Sequence, residues 1–337
     1  MRIANHDTDE RVLVIAEIGN NHEGDFGRAR EMVHAAAEAG ADAVKFQTFR
    51  TGHYVSPADP KRTAMLQGFE LTWDQFAALR QEADGAGVLF LSTPFDIASA
   101  RFLDGIVPAF KIASGDNTFH PLLEAVARCH KPVLLSCGLA SLNQLAFARA
   151  LVQRIWDEAC VDPGMAALHC VTSYPVPEAE ANLAAIAAIA EATGCTPGYS
   201  DHTLGIRAAV LSVAAGARIV EKHFTLDKQL SDFRDHQLSA DPDELAGLVR
   251  DIRQAETLLG SGEKALARCE EPVREAVRRS IAAGRDLPQG HVLAWDDLTW
   301  VRPGGGFAPG DETSVLGRRL ARALPMGSPL QPEDLED

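Results

Sequence analysis

Four pairs of polar side chains two residues apart stand at the carboxyl ends of short apolar runs: Lys45 with Gln47, Ser114 with Asp116, Ser200 with His202, and Glu221 with His223. Residues two apart on a strand share a face, so each pair would present both groups to one side. Imidazoles suit a first-row transition metal, Mn2+ or a near neighbour such as Co2+, better than Ca2+, with Mg2+ as a further candidate. With His202 and His223 as the two protein ligands, the remaining positions stay open to water and substrate, as catalysis requires. Lys45 and Lys111 lie inside otherwise apolar sequence, where an ammonium is costly unless it faces a polar cavity and meets an anion. Thr93, Ser114, Ser136 and Ser200 offer hydroxyls to that anion, and Glu17, Asp116 and Glu221 offer carboxylates for proton transfer. These residue types read as a site for a phosphorylated small molecule and a metal-polarised partner.

Such a site needs a scaffold that brings distant strand ends to one place. The apolar runs lie at 12–19, 43–48, 89–95, 109–115, 132–138, 166–172, 197–203 and 219–225. Between them lie Ala-, Leu- and Glu-rich stretches with helical periodicity, such as 25–39 and 73–86. Eight strand–helix repeats predict an α/β fold, a (β/α)8 TIM barrel with its active site at the carboxyl ends of the strands. A helix is expected at 242–259, a break at 260–263 and a charged connector at 269–278. From Ser280 short runs at 280–283, 298–301 and 319–323 among many Gly and Pro predict a small β-rich module. The expected division is a barrel over 1–265, a linker over 266–279 and the module over 280–337. In the module Arg302 precedes Pro303-Gly304-Gly305-Gly306 and reads as a cation at the start of a flexible glycine loop.

The chain has 337 residues, 46% hydrophobic and 23% charged, enough for one barrel of about 250 residues and a small second domain. Its net charge of -15 disfavours nucleic acid and acidic membranes, so an anionic substrate must be held by a local cluster of cations. Polar residues at the amino terminus and apolar stretches broken by charge predict a cytoplasmic protein without a signal or membrane-spanning segment. The six cysteines show no CxxC spacing, which suits reduced, mostly buried thiols.

The runs IAEIGNNHEG (15–24), VKFQT (44–48), STPF (92–95), KIASGD (111–116), GYSDHT (198–203) and EKHFT (221–225) resemble the sialic acid synthase family. The segment 298–306 is similar to that family's antifreeze-like (SAF) domain. The resemblance implies a TIM barrel fused to an SAF domain, in a domain-swapped homodimer whose SAF domains cap the partners' barrels. It implies condensation of phosphoenolpyruvate with an N-acyl hexosamine such as N-acetylmannosamine, giving a nine-carbon 2-keto acid and phosphate. Family positions for the metal match His202 and His223. Those for the phosphate and carboxylate match Lys45, Lys111, Thr93, Ser114, Ser136 and Ser200. Gln47, Tyr174 and Asp235 match positions lining the sugar, and Arg302 matches an arginine that reaches the acylamino group across the dimer. The water-activating role is left open among Glu17, Asp116 and Glu221.

Two departures bear on the acceptor and the water. Many relatives carry Glu where this chain has Asp116, and the segment 232–236 reads DFRDH where a Gly-Pro-Asp run is common. Alternatives are a legionaminic- or pseudaminic-type synthase using a diamino-sugar, another phosphoenolpyruvate-dependent aldol synthase of the deoxyoctulosonate or deoxyheptulosonate type, and a non-catalytic carbohydrate- or ice-binding protein. The aldol synthases need no SAF module, and a binding protein leaves the barrel motifs unexplained.

Overall fold

Each of the eight apolar runs supplies a strand of a closed parallel barrel in the computed structural model, which describes residues 1–336. A short antiparallel hairpin, β1 (Arg2–Ile3) and β2 (His6–Asp7), comes first. The barrel strands follow as β3 (Leu13–Gly19), β4 (Ala43–Thr48), β5 (Leu89–Pro94), β6 (Phe110–Ile112), β7 (Val133–Ser136), β8 (Met165–His169), β9 (Thr196–Asp201) and β10 (Ile219–His223). They pair in chain order, and β10 closes the ring against β3.

Period-two alternation divides the barrel interior into an apolar floor and a polar mouth. Leu13, Ile15, Ala43, Leu91, Ala109, Leu134, Ala166, Leu168 and Ile219 cluster inside it, closed from the amino-terminal side by Ile3 of the hairpin. Two residues further along the same inward faces come Glu17, Lys45, Thr93, Lys111, Ser136 and Glu221. Floor and mouth are therefore successive layers of one alternation, and the change from apolar to polar marks where packing ends and chemistry begins. Gly198 sits inside this stack because a Cβ there would stand 2.8 Å from Leu168 Cγ and 2.9 Å from the Ile219 carbonyl. The opposite strand faces pack Val14, Ala16, Val44, Phe46, Phe90 and Val220 against the helices, so the strands are buried on both sides as parallel sheets require.

The helices begin where side chains satisfy their free amides. Asp25 caps Phe26–Glu38, Thr72 and Gln75 form a reciprocal box before Trp73–Gly85, and Ser141 and Gln144 do the same before Leu142–Glu158. Two connections at the mouth are long. Between β4 and Trp73–Gly85 run the short helices Thr51–Tyr54 and Pro60–Phe69, and between β10 and the helix Pro242–Leu259 lies the short helix Asp235–Leu238. Among the described residues no helix is long and apolar enough to cross a membrane. The thiols divide between core and surface: Cys137, Cys170 and Cys195 are buried, whereas Cys160 and Cys269 are exposed.

The chain divides into two compact units, Met1–Gly260 and one that starts at Ser261. In the second, β11 (Ser280–Ala283) pairs antiparallel with β12 (Leu298–Val301) over a core that includes Ile281, Leu287, Leu293, Val315, Leu320 and Leu330. Three details differ from the sequence-based expectation. The charged connector contains a helix, Glu271–Val277. The run 319–323 forms isolated bridges, Val292 with Arg319 and Leu320 with Leu335, rather than a strand. The glycine loop is tied down: the Gly304 amide donates to the Glu275 carbonyl at 2.7 Å and the Gly306 amide to Ser280 Oγ at 3.1 Å. Its glycines serve close approach, since a Cβ on Gly304 would meet the Glu275 carbonyl at 3.2 Å.

Candidate active site

A cavity of about 1150 Å³ opens at the carboxyl ends of the strands, and every barrel residue singled out from the sequence lines it. Glu17, Lys45, Gln47, Thr93, Lys111, Ser136, Ser200, Glu221 and His223 arrive on strands, and His202 follows β9 directly. Ser114 and Asp116 also line the cavity, but the same-face argument for them fails. β6 ends at Ile112, and Ser114–Asp116 is a single 3-10 turn closed by the Asp116 amide on the Ala113 carbonyl at 3.0 Å. Asn117 holds that turn by donating to the carbonyls of Ser136 and Gly138 at 3.3 and 2.8 Å. Tyr174 and Asp235 reach the cavity from the connections after β8 and β10. Arg302 belongs to the second unit, where it is exposed and borders a cleft of about 780 Å³ with Arg274, Glu275 and Arg278.

The floor of the cavity is a buried network of opposite charges. Lys45 Nζ lies 2.6 Å from Glu17 Oε2 and 3.6 Å from Glu221 Oε2, and Lys111 Nζ lies 3.8 Å from Glu221 Oε1. In the chain by itself, then, the anions that meet the ammonium groups are Glu17 and Glu221. Lys45 also donates to Thr93 Oγ1 at 3.1 Å, Lys111 to Ser136 Oγ at 2.6 Å, and Ser200 to Glu221 Oε1 at 2.8 Å. Gln47 donates to Glu17 at 3.2 Å and accepts from Asn20 at 2.8 Å.

The two central carboxylates are pushed apart in acidity. Burial raises Glu17 to about 7; Lys45 opposes this and the Glu221 charge adds to it. Burial also disfavours the Glu221 anion, but Lys111 and Lys45 outweigh it and hold that carboxyl well below its ordinary range. Divergent acidities in neighbouring titratable groups separate a proton carrier from a fixed charge. Burial raises Asp116 to about 6 against the pull of Lys111.

His202 and His223 face each other with ring centroids 5.6 Å apart. His202 Nδ1 stands 2.8 Å from the Val171 carbonyl, which can only accept, so the proton is on Nδ1 and the Nε2 lone pair is free. His223 Nδ1 is buried and, among the described residues, has no hydrogen-bond partner. Burial lowers the pKa of both rings, and each also feels a neighbouring cation or the other imidazole. Two neutral imidazoles with unused lone pairs are a donor set that fits a divalent transition metal. Among the described residues no group of three or more His, Cys, Asp or Glu side chains is arranged for a metal, so these two would leave most positions to water and substrate.

The wall of the cavity contains residues that the sequence reading missed: Tyr54, Arg62, Leu66 and Phe69, from the connection after β4. Phe233 and Arg234, in the segment that departs from the family pattern, join them from the connection after β10. Phe69 and Phe233 pack edge to face at 5.2 Å, and the Arg234 guanidinium lies 4.9 Å over the Tyr174 ring. The available signal was length: a connection running from residue 49 to 72 far exceeds the two to six residues usual between strand and helix.

The chain is similar to known proteins in both of its parts. The NeuB family model matches residues 32–264, and the SAF domain model matches residues 278–336. An N,N'-diacetyllegionaminic acid synthase of Legionella pneumophila is 40% identical over 96% of this chain and 94% of its own length. The human N-acetylneuraminate-9-phosphate synthase is 33% identical over 91% of this chain and 88% of its own. A crystal structure of an N-acetylneuraminic acid synthetase from Leptospira borgpetersenii, in complex with citrate, superposes with a TM-score of 0.76. It is 34% identical and covers 81% of this chain and 94% of its own.

Proposed function

The chain belongs to the NeuB family of nonulosonic acid synthases, and from that premise we propose that it condenses phosphoenolpyruvate with the open-chain aldehyde of an N-acyl hexosamine. C3 of phosphoenolpyruvate bonds to the aldehyde carbon, whose oxygen takes up a proton. Water adds at C2 and gives up a proton, and the bond between C2 and the phosphate-bearing oxygen breaks. The products are a nine-carbon 2-keto acid and inorganic phosphate. The observation that carries this reading is the meeting of two buried ammonium groups, two neutral imidazoles and a split pair of carboxylates in one cavity.

Lys45, Lys111, Thr93, Ser114, Ser136 and Ser200 hold the phosphate and carboxylate of phosphoenolpyruvate. Lys45 is released toward the substrate when Glu17, already raised to about 7, takes a proton. That proton store at neutral pH suits Glu17 to the transfers at the aldehyde oxygen and the attacking water. Glu221 remains the fixed anion of the site, and Asp116 orients the water from the turn that follows β6. His202 and His223 would hold a divalent ion, Mn2+ in the first instance with Co2+ or Mg2+ as alternatives, which when bound supplies Lewis acidity at the aldehyde oxygen. Gln47, Tyr174 and Asp235 line the sugar. The protein acts in the cytoplasm as a domain-swapped homodimer, with Arg302 of one protomer reaching the acylamino group in its partner's barrel.

A second acceptor class is favoured by one observation, the 40% identity to the Legionella legionaminic acid synthase: a diamino-hexose in place of N-acetylmannosamine. The test is phosphate release by the purified protein with Mn2+ and phosphoenolpyruvate across N-acetylmannosamine, its 6-phosphate and 2,4-diacylamino hexoses. Release with one acceptor, abolished by EDTA, is expected. No release with any of them would overturn the reading.

A further inference from the structure

We propose that Asp201 and Lys222, which do not face the cavity, are a positioning pair that sets the spacing of His202 and His223. This rests on the reading of those two histidines as metal-holding groups. Lys222 Nζ lies 2.9 Å from Asp201 Oδ2, and both side chains are fully buried. The two residues are directly opposite each other in the ladder between β9 and β10. Strand alternation turns their side chains to the helix side of the barrel, while Ser200, Glu221, His202 and His223 line the cavity.

The pair also clamps the backbone on either side of His202. Asp201 Oδ1 accepts from the Thr203 amide at 2.9 Å, Thr203 Oγ1 at 2.8 Å and Tyr199 Oη at 3.2 Å. Lys222 Nζ donates to the Thr203 carbonyl at 2.5 Å. The peptide that carries His202 is thus bracketed by a carboxylate before it and three contacts to Thr203 after it. One ammonium ties that bracket to the residue preceding His223.

A buried ion pair is a poor source of net stability, because desolvation offsets most of the attraction, but it penalises every arrangement that separates the charges. A slip of one residue between β9 and β10 would turn Asp201 and Lys222 to opposite faces and leave the one on the helix side buried without its partner. It would also turn one histidine to the helix side, since register and facing change together. The ion pair therefore specifies the one register in which the two imidazoles stand side by side. Groups behind metal ligands that fix their orientation typically influence affinity about 10- to 100-fold.

The test uses the full chain and Mn2+ alone, with free ion followed by the electron paramagnetic resonance of aqueous Mn2+. Asp201→Asn and Lys222→Met are expected to weaken Mn2+ binding by about 10- to 100-fold while the barrel stays folded. Val126→Ala, on the helix His120–Ala127, serves as a destabilised control and should bind as the unaltered protein does. If Lys222→Met does not fold, Asp201→Asn decides alone, because it is isosteric and keeps an acceptor for Thr203. Binding within twofold of the unaltered protein in the folded variants overturns the positioning role. His202→Ala and His223→Ala separate the two ideas. Loss of Mn2+ in these, with retention in the Asp201 and Lys222 variants, removes only the positioning pair. Retention in all four removes the metal reading as well.

Discussion

Replacing Asp116 by asparagine should make the ligand-free protein more stable at high pH and impair catalysis. The Asp116 carboxyl is raised from 3.8 to about 6, first by burial and against the pull of Lys111. Its folded-state pKa lies above its unfolded value, so the folded state holds the proton more tightly and stability falls as pH rises from about 4 through 6. At 1.36 kcal/mol per unit the full shift is worth about 3 kcal/mol. The carboxyl is only partly buried, and screening at its solvent-facing edge reduces this to about 2 kcal/mol. An asparagine amide in its place has no proton to lose, so the variant escapes that penalty. Melting curves of the full chain at pH 4 and pH 8 should show the variant gaining roughly 4 °C on the unaltered protein between the two pH values. In the phosphate-release assay, rate should rise with pH through about 6 in the unaltered protein, and the variant should lose that limb with most of its activity. A stability difference that is the same at both pH values, or a shift favouring the unaltered protein at pH 8, would refute the argument.

Lys111→Met removes a cation that contacts Ser136 and Glu221; it should raise the KM for phosphoenolpyruvate by about 100-fold or more, consistent with breaking a buried charge contact, and an unchanged KM would remove Lys111 from the anion site. Arg302→Ala should impair sugar use more than phosphoenolpyruvate binding, measured as the separate KM values, and unchanged kinetics would end the cross-subunit proposal. Gly198→Ala forces a methyl group against Leu168 and the Ile219 carbonyl; overpacking should cost about 1 to 3 kcal/mol, seen as a lowered urea midpoint.

The barrel and most of its mouth were legible along the chain because both follow from covalent alternation. Short runs rich in β-branched residues favour strands, and residues two apart within a strand share a face, so Lys45 with Gln47 and Glu221 with His223 declared their common side before any fold was known. Contacts between strands far apart in sequence carry no such local mark. That Glu17 meets Lys45 and that Lys222 lies opposite Asp201 depend on the register between paired strands, and how Glu17 and Glu221 are driven apart in acidity depends on ring closure and burial. The turn at Ser114–Asp116 escaped for a related reason: the side chain that holds it, Asn117, bonds to the neighbouring segment rather than to its own. The walls from the helix Pro60–Phe69 and the segment around Phe233 meet only because the closed barrel brings two long connections to the same rim. Local alternation thus determined the strands and the facing of their side chains, and tertiary structure decided their charge partners, because through-space electrostatics depends on distances that chain order does not specify.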